Sequence, residues 1–246
     1  MKVTVLGPWG GYPKAGEASA GYLVQHDGYN LLIDCGSGVL SQLQHYLPVE
    51  ELDSVVISHY HPDHIADTGV LYHGRLIQSK IGSELPVLPI YAHPYDEVGF
   101  QSLDHHPYTE ARPFKEDDKL ELGPFTITFL ETIHPVKCYA MRVTDGHHSM
   151  VFTADSSYKK EFETFSDGAD LLISECNLYS HMDGSAMGHM NSTDAASIAK
   201  EANVSTLMLT HLPHFGDLTE LEKDANRIFK GEVVLASTGL VWDSEQ

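Results

Sequence analysis

Val55-Val56-Ile57-Ser58-His59-Tyr60-His61-Pro62-Asp63-His64 is the stretch on which the reading of this chain turns. It opens as an apolar run suited to a buried strand and closes on four potential metal ligands packed into six residues. Leaving the strand, His59 and His61 share one side by the two-residue period of extended chain, and the turn at Pro62 lets Asp63 and His64 face a second point. Imidazole and carboxylate donors flanking two neighbouring positions suit a borderline cation such as zinc, provided one coordination position stays open for water. One histidine after a strand is ordinarily a packing or surface residue; four donors in a row are not.

On either side of this stretch, apolar runs alternate with turn-rich segments. Val3 to Leu6, Tyr22 to Val24, Leu31 to Asp34, Val55 to Ser58 and Leu88 to Tyr91 read as strands in the first half. Phe125 to Leu130, Tyr139 to Val143, Met150 to Thr153, Leu171 to Ser174, Leu207 to Thr210 and Val233 to Ala236 read as strands in the second. Helical patterns fall between them at about Val39 to Tyr46, Ile65 to Ser79, Lys159 to Phe165, Ser192 to Glu201 and Leu218 to Phe229. Strands alternating with helices in both halves give an α/β fold of two sheets face to face with helices outside. Phe100 to Asp118 is polar and weakly periodic and reads as a long loop or flap, while the Gly/Pro-rich loop from Gly7 to Gly16 reads as a wall of the site. Without repeats or low-complexity tracts, residues 1–246 read as one domain.

Composition narrows the function. The formal charge is −20, from 15 Lys and Arg against 35 Asp and Glu, which argues against stable binding of nucleic acid through phosphate neutralisation. Two divalent ions would cancel only about four of those charges. The 16 histidines, several of them set among acids, point to metal instead. Cys35, Cys138 and Cys176 form no Cys-x-x-Cys pair, so neither a disulfide framework nor a cysteine-based zinc knuckle is expected. No apolar stretch reaches spanning length and no leader is visible, so the expectation is a cytoplasmic protein with no membrane partner.

Three further donors end apolar runs: His134 in Glu131-Thr132-Ile133-His134-Pro135, Asp155 in Phe152-Thr153-Ala154-Asp155-Ser156, and His211 in Leu209-Thr210-His211-Leu212. Asp155 taken alone would be a helix N-cap before Ser156 and Ser157. Together with the His-x-His-x-Asp-His stretch, the set resembles the metallo-β-lactamase superfamily. That resemblance implies a four-layer αβ/βα sandwich of two mixed sheets and two divalent metal ions, with zinc the first expectation and manganese or iron also compatible. It implies His59, His61 and His134 on the first metal, Asp63, His64 and His211 on the second, and Asp155 bridging. Asp34, in Leu31-Leu32-Ile33-Asp34-Cys35-Gly36, matches an aspartate that supports the ligands in this family rather than binding metal itself.

The resemblance also separates branches. Asp155 stands where a β-lactamase would carry a cysteine ligand, and His61 stands where the diiron redox members carry glutamate, so antibiotic hydrolysis and redox chemistry are disfavoured. Gly188-His189-Met190-Asn191-Ser192-Thr193-Asp194 resembles the histidine-bearing motif of the ribonuclease Z and cyclic-phosphate phosphodiesterase branch, and Glu175 resembles its acidic strand end. In that branch His189 would serve phosphodiester cleavage; on its own it would read as a capping or packing histidine. The stretch between His134 and Asp155 holds a hairpin through Asp145-Gly146 and leaves no room for a tRNA-gripping arm.

The expectation is therefore a dinuclear metal-dependent hydrolase that cleaves a small or cyclic nucleotide-like phosphodiester. Asp63 would hold the attacking water and His189 would assist the leaving group. The alternatives are an arm-less ribonuclease Z-like 3′-end endonuclease acting on short RNA, and a lactonase or thioesterase using the same metals. A non-enzymatic metal site is a third, distant reading. Tyr60, Ser156, Asn191 and His214 are further pocket candidates, each equally readable as structural. By resemblance alone the protein would be a homodimer.

Overall fold

The structure, a computed structural model, describes residues 1–82 and 84–245. Their contacts divide into two compact units, one of residues 1–115 with 237–246 and the other of residues 116–236.

The first unit carries β1 (Lys2–Gly7), β2 (Gly21–His26), β3 (Tyr29–Ile33), α1 (Val39–Leu43), β4 (Ser54–Val56), α2 (Pro62–Ile65), α3 (Thr68–Ile81), β5 (Leu88–Ala92), α4 (Glu97–Gln101) and β6 (Thr109–Pro113). In the second follow β7 (Leu120–Leu122), β8 (Phe125–Glu131), β9 (Tyr139–Thr144), β10 (Ser149–Phe152), α5 (Glu161–Phe165), β11 (Leu171–Glu175), α6 (Ser192–Glu201), β12 (Thr206–Thr210), α7 (Thr219–Ile228) and β13 (Glu232–Leu235). The closing strand β14 (Val241–Asp243) returns to the first unit and pairs with β1.

The first unit's sheet runs β14-β1-β2-β3-β4-β5-β6. Its first four strands pair antiparallel, and from β3 onward the pairing is parallel. The tight turn between β2 and β3 is built by Asp27 and Gly28, both at positive φ, as a two-residue hairpin requires. Parallel strands need crossovers, and α1 and α3 supply two of them. An apolar cluster including Leu23, Leu32, Val55, Ile90 and Leu71 lies under this sheet, each side chain contributing about 1.5–3 kcal/mol by leaving water. The buried Arg75 of α3 donates to the carbonyls of Val49 (3.1 Å) and Pro86 (2.5 Å), which ties the helix to the loops before β4 and β5.

The second unit's sheet runs β13-β12-β11-β10-β9-β8-β7 on the same plan. Strands β7 to β10 form an antiparallel meander, and β10 to β13 are parallel. Every residue of β11 and β12 is buried, which explains their continuous apolar sequences, Leu171-Leu172-Ile173 and Leu207-Met208-Leu209. The expected hairpin through Asp145-Gly146 joins β9 to β10, its Asp145 carboxylate accepting from the backbone N–H of His147 and His148. Asn191 caps α6 in a full capping box with Asp194.

Two sequence expectations need correction. Phe100 to Asp118 is not an unstructured flap: it contains the end of α4 and all of β6. The pattern from Ile65 to Ser79 is not one helix, because the chain breaks at Ala66-Asp67 between α2 and α3. There the Asp67 N–H turns to the carbonyl of Cys35 and its carboxylate accepts from the N–H of Leu40. Among the described residues, no helix is long and apolar enough to cross a membrane.

Candidate functional site

Both sheets present their chemistry at the carboxyl ends of strands near the point where antiparallel pairing gives way to parallel. Three non-glycine residues hold a positive φ there: Asp34 (56°) after β3, Ala154 (49°) after β10 and His211 (52°) after β12. Such conformations cost about 1–3 kcal/mol each and persist only where the surroundings fix them. Here each one turns a functional side chain off the end of its strand: Asp34 itself, Asp155 and His211.

In the first unit Asp34 is the organiser. Its fully buried carboxylate accepts from the Ser58 N–H (2.7 Å), the Ser58 hydroxyl (2.8 Å) and His64 Nδ1 (2.7 Å). A carboxylate can only accept, so the imidazole carries its proton on Nδ1 and, when neutral, a lone pair on Nε2. That lone pair stands 3.5 Å from Asp63 Oδ2. The Ser58 hydroxyl points its hydrogen at Asp34, so its oxygen accepts from His59 Nδ1 at 3.1 Å, and the His59 lone pair also falls on Nε2. His59 Nε2 lies 3.1 Å from His61 Nδ1. The geometry thus gathers His59, His61, Asp63 and His64, with the lone pairs of His59 and His64 set by Ser58 and Asp34 behind them, the arrangement found behind metal ligands.

Close backbone approach makes this packing feasible. A Cβ on Gly36 would come within 1.9 Å of the Asp63 carbonyl, so only glycine fits there. Gly11, in the Gly/Pro-rich loop, donates its N–H to Asp63 Oδ2 at 2.7 Å, which puts that loop at the cluster's wall as expected.

In the second unit Asp155 lies between two imidazoles, its Oδ2 3.9 Å from His134 Nε2 and 3.4 Å from His211 Nε2. His134 Nδ1 donates to the Gly188 carbonyl at 3.0 Å, so in the neutral ring the lone pair on Nε2 points toward a carboxylate oxygen. Two lone pairs aimed at one point repel unless a cation lies between them. The donor sets in both units therefore fit divalent metal ions by their own proton inventory. Gly188, at φ 77°, stands where a Cβ would lie 2.9 Å from His134 Nδ1. The Asn177 amide donates to the His211 carbonyl at 3.1 Å and fixes that residue's backbone.

Beside these ligands sits a carboxylate–imidazole pair. Glu175, the last residue of β11, is wholly buried; its Oε1 accepts from His189 Nδ1 (2.9 Å) and from the Ser156 N–H (2.9 Å). His189 meets His134 edge-on and stacks on His211, both at 5.4 Å between ring centroids. Glu175, His189 and His211 each place a ligand atom within 4.8 Å of the other two.

The pocket candidates divide. Tyr60 makes structural contacts: its hydroxyl donates to the His93 carbonyl at 2.5 Å and its ring covers Gly99, where a Cβ would lie 2.6 Å from it. Burial, and then the charge of Asp96, push its phenol up, so it stays protonated. Ser156 is a brace, accepting from the Ile133 N–H. Asn191 caps α6 and also lines a cavity with His189. His214 is half-buried after β12. Burial, reinforced by nearby carboxylates, pushes the Cys35 and Cys176 thiols well up, so both stay protonated. The sequence reading missed Ser58, Gly188 and Asn177; only Gly188, a glycine directly before a candidate histidine, carried a signal.

A family model described as "Beta-lactamase superfamily domain" matches residues 29–212, and the chain belongs to the metallo-β-lactamase superfamily. Its αβ/βα fold class is that of the superfamily. The chain is 55% identical to the probable metallo-hydrolase YhfI of Bacillus subtilis, the match covering 99% of this chain and 100% of that protein. The crystal structure of YhfI superposes with a TM-score of 0.97 over 98% of each chain. More distant solved structures share the fold: human tRNase Z, short form (TM-score 0.77, 22% identity, 99% of each chain), and a diphosphatase of the PhnP family (TM-score 0.77, 20% identity, 98% of this chain and 97% of that one).

Proposed function

We propose that this protein is a dinuclear metal-dependent phosphodiesterase that cleaves a small or cyclic nucleotide-like diester. The observation that carries this reading is the Glu175–His189 pair packed against His134 and His211. Cleavage of a phosphodiester expels an alkoxide from a centre that already carries negative charge, and His189, held through Nδ1 by Glu175, would stabilise that departing oxygen. The similarity to YhfI, a probable metallo-hydrolase, supports the hydrolase class, and the shared fold with a tRNase Z and a PhnP-family diphosphatase accords with phosphorus ester chemistry.

His59, His61 and His134 would hold one metal, Asp63, His64 and His211 the other, and Asp155 both. Bound divalent ions would bring the pKa of a coordinated water toward 7 and neutralise charge on the phosphoryl oxygens. Asp63 Oδ2, steadied by the Gly11 N–H, would orient the attacking water and accept its proton. Glu175 fixes the His189 ring through Nδ1, which presents Nε2 to the departing oxygen. His189 then donates a proton or a charge-assisted hydrogen bond, a contribution of about a hundredfold.

The test compares the native enzyme with His189→Ala on bis(p-nitrophenyl) phosphate, 2′,3′-cyclic nucleotides, a short RNA and acyl lactones. We expect turnover of the nucleotide diesters, whose alkoxides need a proton to leave, to fall about a hundredfold with metal content unchanged, and an ester turnover that does not use His189 to be spared. Turnover of lactones with none of diesters would overturn the reading.

A further inference from the structure

The second unit contains a cavity of about 490 Å³ whose wall includes His189, a size typical of small-molecule sites. Its other lining groups include Ser157, Tyr158, Ser185, Asp183 and Asp194, and no Lys or Arg is among them. This is unusual for an enzyme proposed to handle phosphate esters, which commonly meet additional phosphates with arginine or lysine.

The two carboxylates are fixed rather than loose. Asp194 sits in the first turn of α6, where its Oδ2 accepts from the Asn191 N–H at 3.2 Å. Asp183 is held by the Ser185 N–H at 2.9 Å. Burial pushes the Asp194 carboxyl up against the lowering effect of the Asn191 N–H, and the charge of Asp183 adds to the rise.

Resting on the phosphodiesterase reading above, we infer that this cavity receives the uncharged end of the diester. It would take a sugar or base rich in hydroxyl and amino donors, and Asp183 and Asp194 would select against a substrate end that carries a further phosphate. Hydroxyl and amino groups can donate to these carboxylates, whereas a phosphate monoester brings nearly two negative charges and no compensating cation. His189, in the same wall, is placed to reach the oxygen by which that end leaves. Preferred substrates are thus cyclic mononucleotides or short dinucleotides with free hydroxyl ends, and the end-phosphorylated forms are poor ones. Because Asp183 is exposed, the discrimination weakens as salt rises.

The experiment uses matched dinucleotides: ApA, the same molecule with a 5′-terminal phosphate, and the same with a 3′-terminal phosphate. Their phosphorothioate-linked forms serve for calorimetric binding to the metal-loaded enzyme. We expect ApA to exceed at least one end-phosphorylated form about tenfold in kcat/KM, and its uncleavable analogue to bind about fivefold more tightly. Asp183→Asn and Asp194→Asn, which keep the local acceptors, should each narrow that ratio in turnover and in binding. Equal handling of all three dinucleotides, or a ratio that neither variant moves, overturns the inference. Binding is read separately from turnover, so loss of the preference in binding sinks the pocket assignment, whereas absence of all diester hydrolysis sinks the phosphodiesterase reading.

Discussion

The two units reach similar chemistry by opposite economies of sequence. In the first, one strand end and one turn, residues 58–64, carry His59, His61, Asp63 and His64, and one buried carboxylate, Asp34, braces Ser58 and His64. In the second, His134, Asp155 and His211 come from three separate strand ends, and Glu175 braces His189 from a fourth. Both sheets place an aspartate just beyond the strand that ends their antiparallel part, Asp34 after β3 and Asp155 after β10. The first faces a serine and an imidazole and serves as a support, while the second lies between two imidazoles and is a candidate ligand. Equivalent backbone positions therefore acquire different roles from what surrounds them.

The largest effects should come from testing whether the two clusters serve one centre. His59→Ala and His134→Ala should each lower diester kcat by about a thousandfold, and the double variant should be little worse than either alone, because groups acting as a unit are strongly non-additive. Multiplying losses, measured under saturating metal, would mean that the clusters act independently.

Changing the braces should separate the two supports. Asp34→Asn leaves a buried donor set without its full acceptor and should reduce stability by about 3 kcal/mol in denaturant melts and metal affinity by about 10–100-fold. Glu175→Gln retains an acceptor for the Ser156 N–H and should change metal affinity little while lowering diester kcat by about tenfold. Equal loss of metal in both variants would erase the distinction between a support of the candidate ligands and a support of His189.

The smallest effects concern the glycines that allow close approach. Gly36→Ala must displace the Asp63 backbone and should destabilise by about 1–3 kcal/mol. Gly188→Ala meets a side-chain nitrogen and a strained φ, for about 1–2 kcal/mol. Thermal unfolding of both variants checks that order.

The same contrast explains what the sequence made legible. Residues 59–64 are readable because the spacing alone puts four donors at one strand end. His134, Asp155 and His211 are separated by whole elements, and only their match to a family order singled them out. The strands overlooked in the sequence, β6, β7 and β14, are all sheet edges. Their patterns are diluted by polar residues such as Glu110 and Arg112, since an edge buries less of its surface. The break before α3 escaped notice because it depends on Asp67 bonding to Cys35 and Leu40, contacts distant in the chain. Ser58 was invisible as a relay because a serine reveals its proton direction only when both partners are placed.

The most direct test is the metal content of purified, metal-reconstituted protein beside its Asp155→Ala variant, measured by mass spectrometry of the metals and by calorimetric titration. The native chain should hold about two divalent ions, and the variant should fall below one, because this carboxylate is assigned to both. Undiminished stoichiometry and affinity in the variant, or no ion bound by the native chain, would contradict the account.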